Sequence, residues 1–162
     1  MDRTFSIVAA FLVVCFASVG IVTAQTPVSG EVTKGEPELE LSVANNTVTP
    51  GETETVEIAI SNRGNLSEGQ QASRVTTARG VMVESARGGD LTLTSGEVAA
   101  GSIPDGGVAT VPITVEVPED IEAGRHEIKL DVSYQYNRRV SDQGGLTQRR
   151  TLVLAKYVDL VV

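Results

Sequence analysis

The chain of 162 residues has no tryptophan and one cysteine, Cys15. Its three phenylalanines, Phe5, Phe11 and Phe16, all lie near the N-terminus. A single cysteine excludes a disulfide framework and a cysteine-based metal centre. A single histidine, His126, excludes paired-histidine metal motifs. Beyond residue 24 the aromatic side chains are Tyr134, Tyr136 and Tyr157 alone. The core must therefore be built from Val, Ile and Leu, whose branched side chains suit a pleated sheet. No amphipathic helical period is found after residue 25. Lysine is also scarce: Lys34, Lys129 and Lys156 stand beside ten arginines.

What is present begins with an apolar run, Phe5 to Ala24, behind the charged start Met1-Asp2-Arg3. It ends in the small residues Val22-Thr23-Ala24 before polar Gln25. That is the layout of a secretory signal, with cleavage expected after Ala24. The run is also just long enough to span a hydrocarbon core, so a retained anchor is the alternative. Either way the rest of the chain is expected outside the cytoplasm, secreted or held at the cell surface. Cys15 is not a lipoprotein cysteine, because bulky Val14 and Phe16 flank it.

Acidic residues number 21 against 13 basic ones, a formal charge of −8. An excess of carboxylates with little lysine is the surface expected of a salt-adapted protein, where salt screens the self-repulsion. The same charge argues against nucleic acid and anionic lipid as partners. Membrane association is then expected only through residues 5–24, if they are kept. The charge is uneven. Glu31–Asp131 holds 18 acidic and 7 basic residues, net −11, whereas 132–162 holds two acidic and five basic, net +3.

Residues 25–37 mix Thr, Pro, Gly and Glu without a period and read as a linker. From residue 38 a period of two takes over. Leu39, Leu41 and Val43 alternate with Glu38, Glu40 and Ser42, Val56, Ile58 and Ile60 with Thr55, Glu57 and Ala59, and Val111, Ile113, Val115 and Val117 with Thr110, Pro112, Thr114 and Glu116. The clearest strand is Arg125–Tyr136, with Ile128, Leu130, Val132, Tyr134 and Tyr136 on one face. Weaker strands are expected at Arg74–Arg79, Val81–Ser85 and Leu91–Thr94. Gly80 suggests a bulge, and Pro112 an edge or a bulge, since proline cannot donate to a ladder. Gly and Pro punctuate the gaps. About seven short strands with such spacing predict an all-β antiparallel sandwich over 38–162, preceded by a signal or anchor helix over 1–24.

Two stretches carry a resemblance. One is Asn46-Thr47-Val48-Thr49-Pro50-Gly51-Glu52 leading into Val56-Glu57-Ile58-Ala59-Ile60-Ser61-Asn62-Arg63-Gly64-Asn65. The other is Val117-Pro118-Glu119-Asp120-Ile121-Glu122-Ala123-Gly124 leading into Ile128-Lys129-Leu130-Asp131-Val132-Ser133-Tyr134. Together they resemble the Ig-like modules of archaeal S-layer-related surface proteins, which are similar to adhesion-related and α-galactosidase-associated Ig-like domains. The resemblance implies an Ig-like sandwich that spaces, presents or binds, and carries no catalytic residue.

Candidate chemistry is sparse. No nucleophile elbow, phosphate-cradling loop or metal spacing occurs, so neither an enzyme nor a cofactor is expected. His126 opens the strongest strand and reads as a capping or core-edge residue. Asp90, Asp105, Glu119 and Asp120 offer oxygen ligands but form no calcium loop, so no metal is assigned. Asn45 and Asn65 open N-glycosylation sequons at expected turns. Arg138 and Arg139 are expected opposite Arg150 and Arg149 in a hairpin about Gly144. Like charges so placed are unfavourable, which makes these four arginines the candidate anion- or partner-binding face.

The expected function is a non-catalytic surface module with a structural or protein-interaction role in the envelope. Its partner would be an envelope or membrane protein, or a surface polymer. The alternatives are a carbohydrate- or polymer-binding module and an accessory subunit of a membrane complex. Buried tyrosines would weaken the first, and an unpaired apolar edge at 159–162 would favour the second.

Overall fold

The computed structural model describes residues 30–85, 89–141 and 148–162, with the backbone alone for 148–158. Ten strands and one short helix follow in chain order. They are β1 (Val32–Glu36), β2 (Leu39–Val43), β3 (Thr53–Asn62), β4 (Asn65–Glu68), α1 (Ala72–Val75), β5 (Ala78–Ser85), β6 (Thr92–Leu93), β7 (Val98–Ile103), β8 (Val108–Glu116), β9 (Arg125–Ser141) and β10 (Gln148–Val161). One sheet runs β4-β1-β9-β5-β7, with β10 also paired to β9, and the other runs β2-β3-β8-β6. All of these strand pairs are antiparallel. The fold is thus all-β with two antiparallel sheets, as a β-sandwich requires. The expected N-terminal helix of residues 1–24 lies outside the described residues. Among those described, no helix is long and apolar enough to cross a membrane.

The two inner faces follow from the period of two. Val56, Ile58 and Ile60 of β3 and Val111, Ile113 and Val115 of β8 are buried, and so are all five expected residues of β9. They join Val81 and Val83 of β5 in one apolar cluster. No charged side chain among the described residues is buried. β9 organises the larger sheet. β10 runs along it from Gln148 opposite Arg139 to Val161 opposite Arg125. On the other side β5 pairs with residues 130–135 and β1 with 139–141.

Local punctuation falls as expected. Glu52 N–H donates to Thr49 O at 3.2 Å with Gly51 at φ 78°, a turn that needs a positive φ at its third residue. Gly80, at φ 56°, sits where the register of β5 shifts against both neighbours, so it is a bulge. Pro112 pairs with Glu57 of β3. β6 reaches only Val115 and Glu116 of β8, so among the described residues no strand pairs with the far side at Pro112.

Three expectations change. About seven strands were expected and ten are found among the described residues. Residues 32–36, inside the expected linker 25–37, form β1 between β4 and β9. The inward positions of β1 are Thr33 and Gly35, which are small and give no apolar period. A Cβ at Gly35 would lie 2.8 Å from Val75 Cγ2 and 2.7 Å from Asn65 O, so only glycine lets α1 and β4 approach. The strand expected at Arg74–Arg79 starts only at Ala78. Before it, Thr76 and Thr77 hydroxyls donate to Ala72 O and Ser73 O at 2.9 and 2.8 Å and close a helical turn instead.

Candidate interaction site

The candidate arginines lie where β9 leaves β5 and meets β1. One row of direct pairs crosses this corner: Glu68 of β4, Lys34 of β1, Arg139 of β9 and Gln148 of β10. Lys34 and Arg139 are thus like charges directly opposite, which is unfavourable unless a carboxylate intervenes. Glu68 supplies it. Its carboxylate pairs with Lys34 Nζ. The Lys34 hydrogen bond and charge, with a smaller contribution from Arg139, hold the Glu68 carboxyl below the usual range. Arg138 and Arg139 are exposed and make no ion pair among the described residues. With Lys34, Gly35, Glu36 and Ser67 they line a concavity of about 350 Å³. Tyr136 O–H donates to Glu36 Oε2 at 3.4 Å at its edge.

The hairpin forms, but its register differs from the expected one. Arg149 pairs with Asn137 and Arg150 with Tyr136, with a shift between Gln148 and Arg149. Arg138 and Arg139 therefore do not stand directly opposite Arg150 and Arg149. The shift removes the direct opposition of like charges, which is its physical advantage. Of the four arginines, the structure brings Arg138 and Arg139 into one concavity. The side chains of Arg149 and Arg150 lie outside the described residues.

At the other end of β9 lies a second concavity, of about 340 Å³, lined by Asp90, Pro118, Asp120, Ile121, Glu122 and His126. The His126 side chain is only 11% exposed. Its Nδ1 lies 3.0 Å from Asp90 Oδ2 and its Nε2 lies 2.8 Å from Glu122 O. Both partners can only accept, so both ring nitrogens must carry protons for both bonds to form. The Glu122 carbonyl, then the Asp90 carboxylate, accordingly raise its pKa against an opposing effect of burial. His126 is a core-edge residue that ties two loops to β9, as the sequence suggested.

Of the other candidate residues, Asp90 and Asp120 line this concavity together, and Asp105 lies elsewhere. Asp105 Oδ1 accepts from Gly64 N–H at 2.8 Å, while Asp90 is held by His126. No group of three or more acidic, histidine or cysteine side chains among the described residues could hold a metal ion. Asn45 is exposed, and its Oδ1 accepts from Thr47 N–H at 3.3 Å. Asn65 is exposed at the start of β4, opposite Glu36.

Asn62 was not foreseen. It is 1% exposed at the end of β3. Its Nδ2 donates to Thr76 O at 2.8 Å and to Ile103 O at 2.9 Å, and its Oδ1 accepts from Glu38 N–H at 3.1 Å. One amide side chain thus joins α1, β7 and the start of β2. In the sequence it lies in Ser61-Asn62-Arg63-Gly64-Asn65, at the end of one of the two stretches that carry the resemblance, and neither the period of two nor a motif gives it a buried role.

No family model and no curated protein matches the chain. Among solved structures, a chain of a type I cohesin–dockerin complex from Clostridium thermocellum is 12% identical with a TM-score of 0.31. That match covers 76% of this chain and 99% of the other. A family 123 glycoside hydrolase from Clostridium perfringens is 11% identical with a TM-score of 0.28, covering 76% of this chain and 27% of the enzyme. Likenesses this low carry no argument about function.

Proposed function

We propose that the chain is an exported, non-catalytic Ig-like module of the S-layer-related kind, with a protein-interaction or structural role in the envelope of a salt-adapted organism. The observation that carries this reading is the concavity lined by Arg138 and Arg139 on an otherwise acidic body. Carboxylates dominate the rest of the surface, yet here two guanidinium groups stand without an ion pair among the described residues. Such groups offer paired donors to a carboxylate or similar anion. The exposed acidic side chains fit a surface that is hydrated and screened in high salt.

Two observations favour this reading over its alternatives. Tyr134 and Tyr136 are buried, so they cannot form a sugar-stacking platform. The chain's last residues are not an open edge. Val161 N–H donates to Asn46 O at 2.7 Å, Val48 N–H donates to Val161 O at 2.9 Å, and Leu160 is buried. Surface labelling of intact host cells tests the reading, with intact-mass analysis to see whether Met1–Ala24 is retained. Labelled protein outside the membrane is expected. Protein that is found only in the cytoplasm would overturn export and the role built on it.

A further inference from the structure

The two concavities are nearly equal in volume and opposite in charge, and they lie at opposite ends of one strand. From His126 to Arg138 is twelve residues of β9, or roughly 40 Å at the rise of an antiparallel strand. At one end Lys34, Arg138 and Arg139 outnumber Glu36, and Glu68 makes its ion pair with Lys34 and feels Arg139 more weakly. The backbone of β10 adds Arg149 and Arg150 alongside Asn137 and Tyr136. At the other end Asp120 and Glu122 are exposed and make no ion pair among the described residues, and half-buried Ile121 lies between them.

We propose that copies of this chain associate end to end, the Arg138–Arg139 concavity of one taking the Asp120–Glu122 edge of the next. This deepens the protein-interaction reading and rests on it. A cationic hollow on a body of net charge −8 needs an anionic partner, and the same chain presents one at its far end. Guanidinium and carboxylate meet as paired donors and acceptors, which fixes orientation as well as attraction. The two surfaces differ, so the contact is head-to-tail and leaves one free surface at each end. Such a contact propagates into a ring or an open row, a geometry suited to an envelope layer. Salt at molar strength cancels long-range steering, but pairs closed off from solvent at contact are screened much less.

Sedimentation velocity of the exported protein, purified from its host, tests this over a range of concentrations. Wild type should form a series of species that grows with concentration. Arg138→Gln/Arg139→Gln should remain monomeric, and so should Asp120→Asn/Glu122→Gln, each losing at least tenfold in association constant. Mixed together, the two variants should form a one-to-one dimer and nothing larger, because each keeps one intact surface. All these side chains are solvent-exposed, and unchanged circular dichroism shows that the variants fold. A wild type that stays monomeric overturns the proposal, and so does a dimer that both variants leave intact. Either result beside positive surface labelling leaves the envelope role standing with a different partner.

Discussion

The two ends of β9 are closed by different chemistry. At the arginine end the fastening is Asn62, neutral, buried and satisfied three times over by backbone groups. At the histidine end it is His126, nearer the surface and dependent on a proton for its second bond. A buried amide has no route to water when its partners move, so its bonds are all-or-none. A histidine near the surface can exchange a lost bond for water. The rigid fastening thus joins α1, β7 and the start of β2, and the adjustable one stands beside the acidic edge. Substitutions at the two ends should therefore differ in size and in their response to pH and salt.

The largest expected effect is Asn62→Ala. It would leave Glu38 N–H, Thr76 O and Ile103 O without the partner that joins them. Unsatisfied buried groups cost about 1–3 kcal/mol each, with some relief from relaxation. A loss of about 3 kcal/mol in urea unfolding is expected, with the slope unchanged. A loss no larger than that of an exposed substitution would show that Asn62 is not the fastening.

Gly64→Ala comes next and probes the same end. A Cβ at residue 64 would lie 2.3 Å from Thr76 Cβ, in the turn that Asn62 anchors. Overpacking of this kind costs about 1–3 kcal/mol. Gly96→Ala is the control, since its Cβ meets nothing within 4 Å. Equal melting temperatures for the two variants would remove the distinction between a crowded end and an open surface.

How much of this was legible in the sequence varies with the source of order. β3, β8 and the first twelve residues of β9 announce themselves because burial on one face imposes a period of two on Val, Ile and Leu. The Gly80 bulge and the side of Pro112 that no described strand pairs with were legible because each residue restricts the backbone in a known way. β1 was not, because Thr33 and Gly35 are chosen for closeness to α1 rather than for apolar area. Asn62 was not, because its partners come from Glu38, Thr76 and Ile103, far off in the chain. The arginines were legible as a charge excess, but their register was not. A shift between Gln148 and Arg149 depends on how the strands close, and composition says nothing of that.

Salt should act on the body rather than on either fastening. The Glu31–Asp131 segment carries net −11, and the Debye length falls from about 30 Å in dilute buffer to about 3 Å at 1 M salt. Relief of that repulsion should raise the melting temperature by roughly 4 °C, equivalent to about 1 kcal/mol for a chain of this size. Asn62→Ala should show the same rise from a lower start, since no charge is involved in its bonds. A flat or falling melting temperature with KCl would mean that the carboxylates are incidental, and the salt-adapted reading would go with them.

The smallest effect belongs to His126, and pH reveals it. The pKa of His126 is raised in the folded protein above its ordinary value of 6.5, first by the Glu122 carbonyl and then by Asp90. The folded state therefore holds this proton more tightly than the unfolded chain does. The stability it lends is fully present below 6.5 and is lost as pH rises through the folded pKa. Glu122 O and Asp90 Oδ2 then compete for the one remaining ring proton. The melting temperature of the wild type should accordingly hold below about pH 6.5 and decline as pH rises above it, where histidine titrates and carboxylates do not. In His126→Gln that decline should vanish, because the amide keeps a donor but has no charge to lose. Asn62→Ala should keep the full decline from its lower start, since its fastening lies at the other end of β9. A slope that survives in His126→Gln would place the titrating group elsewhere and would erase the contrast between the two ends.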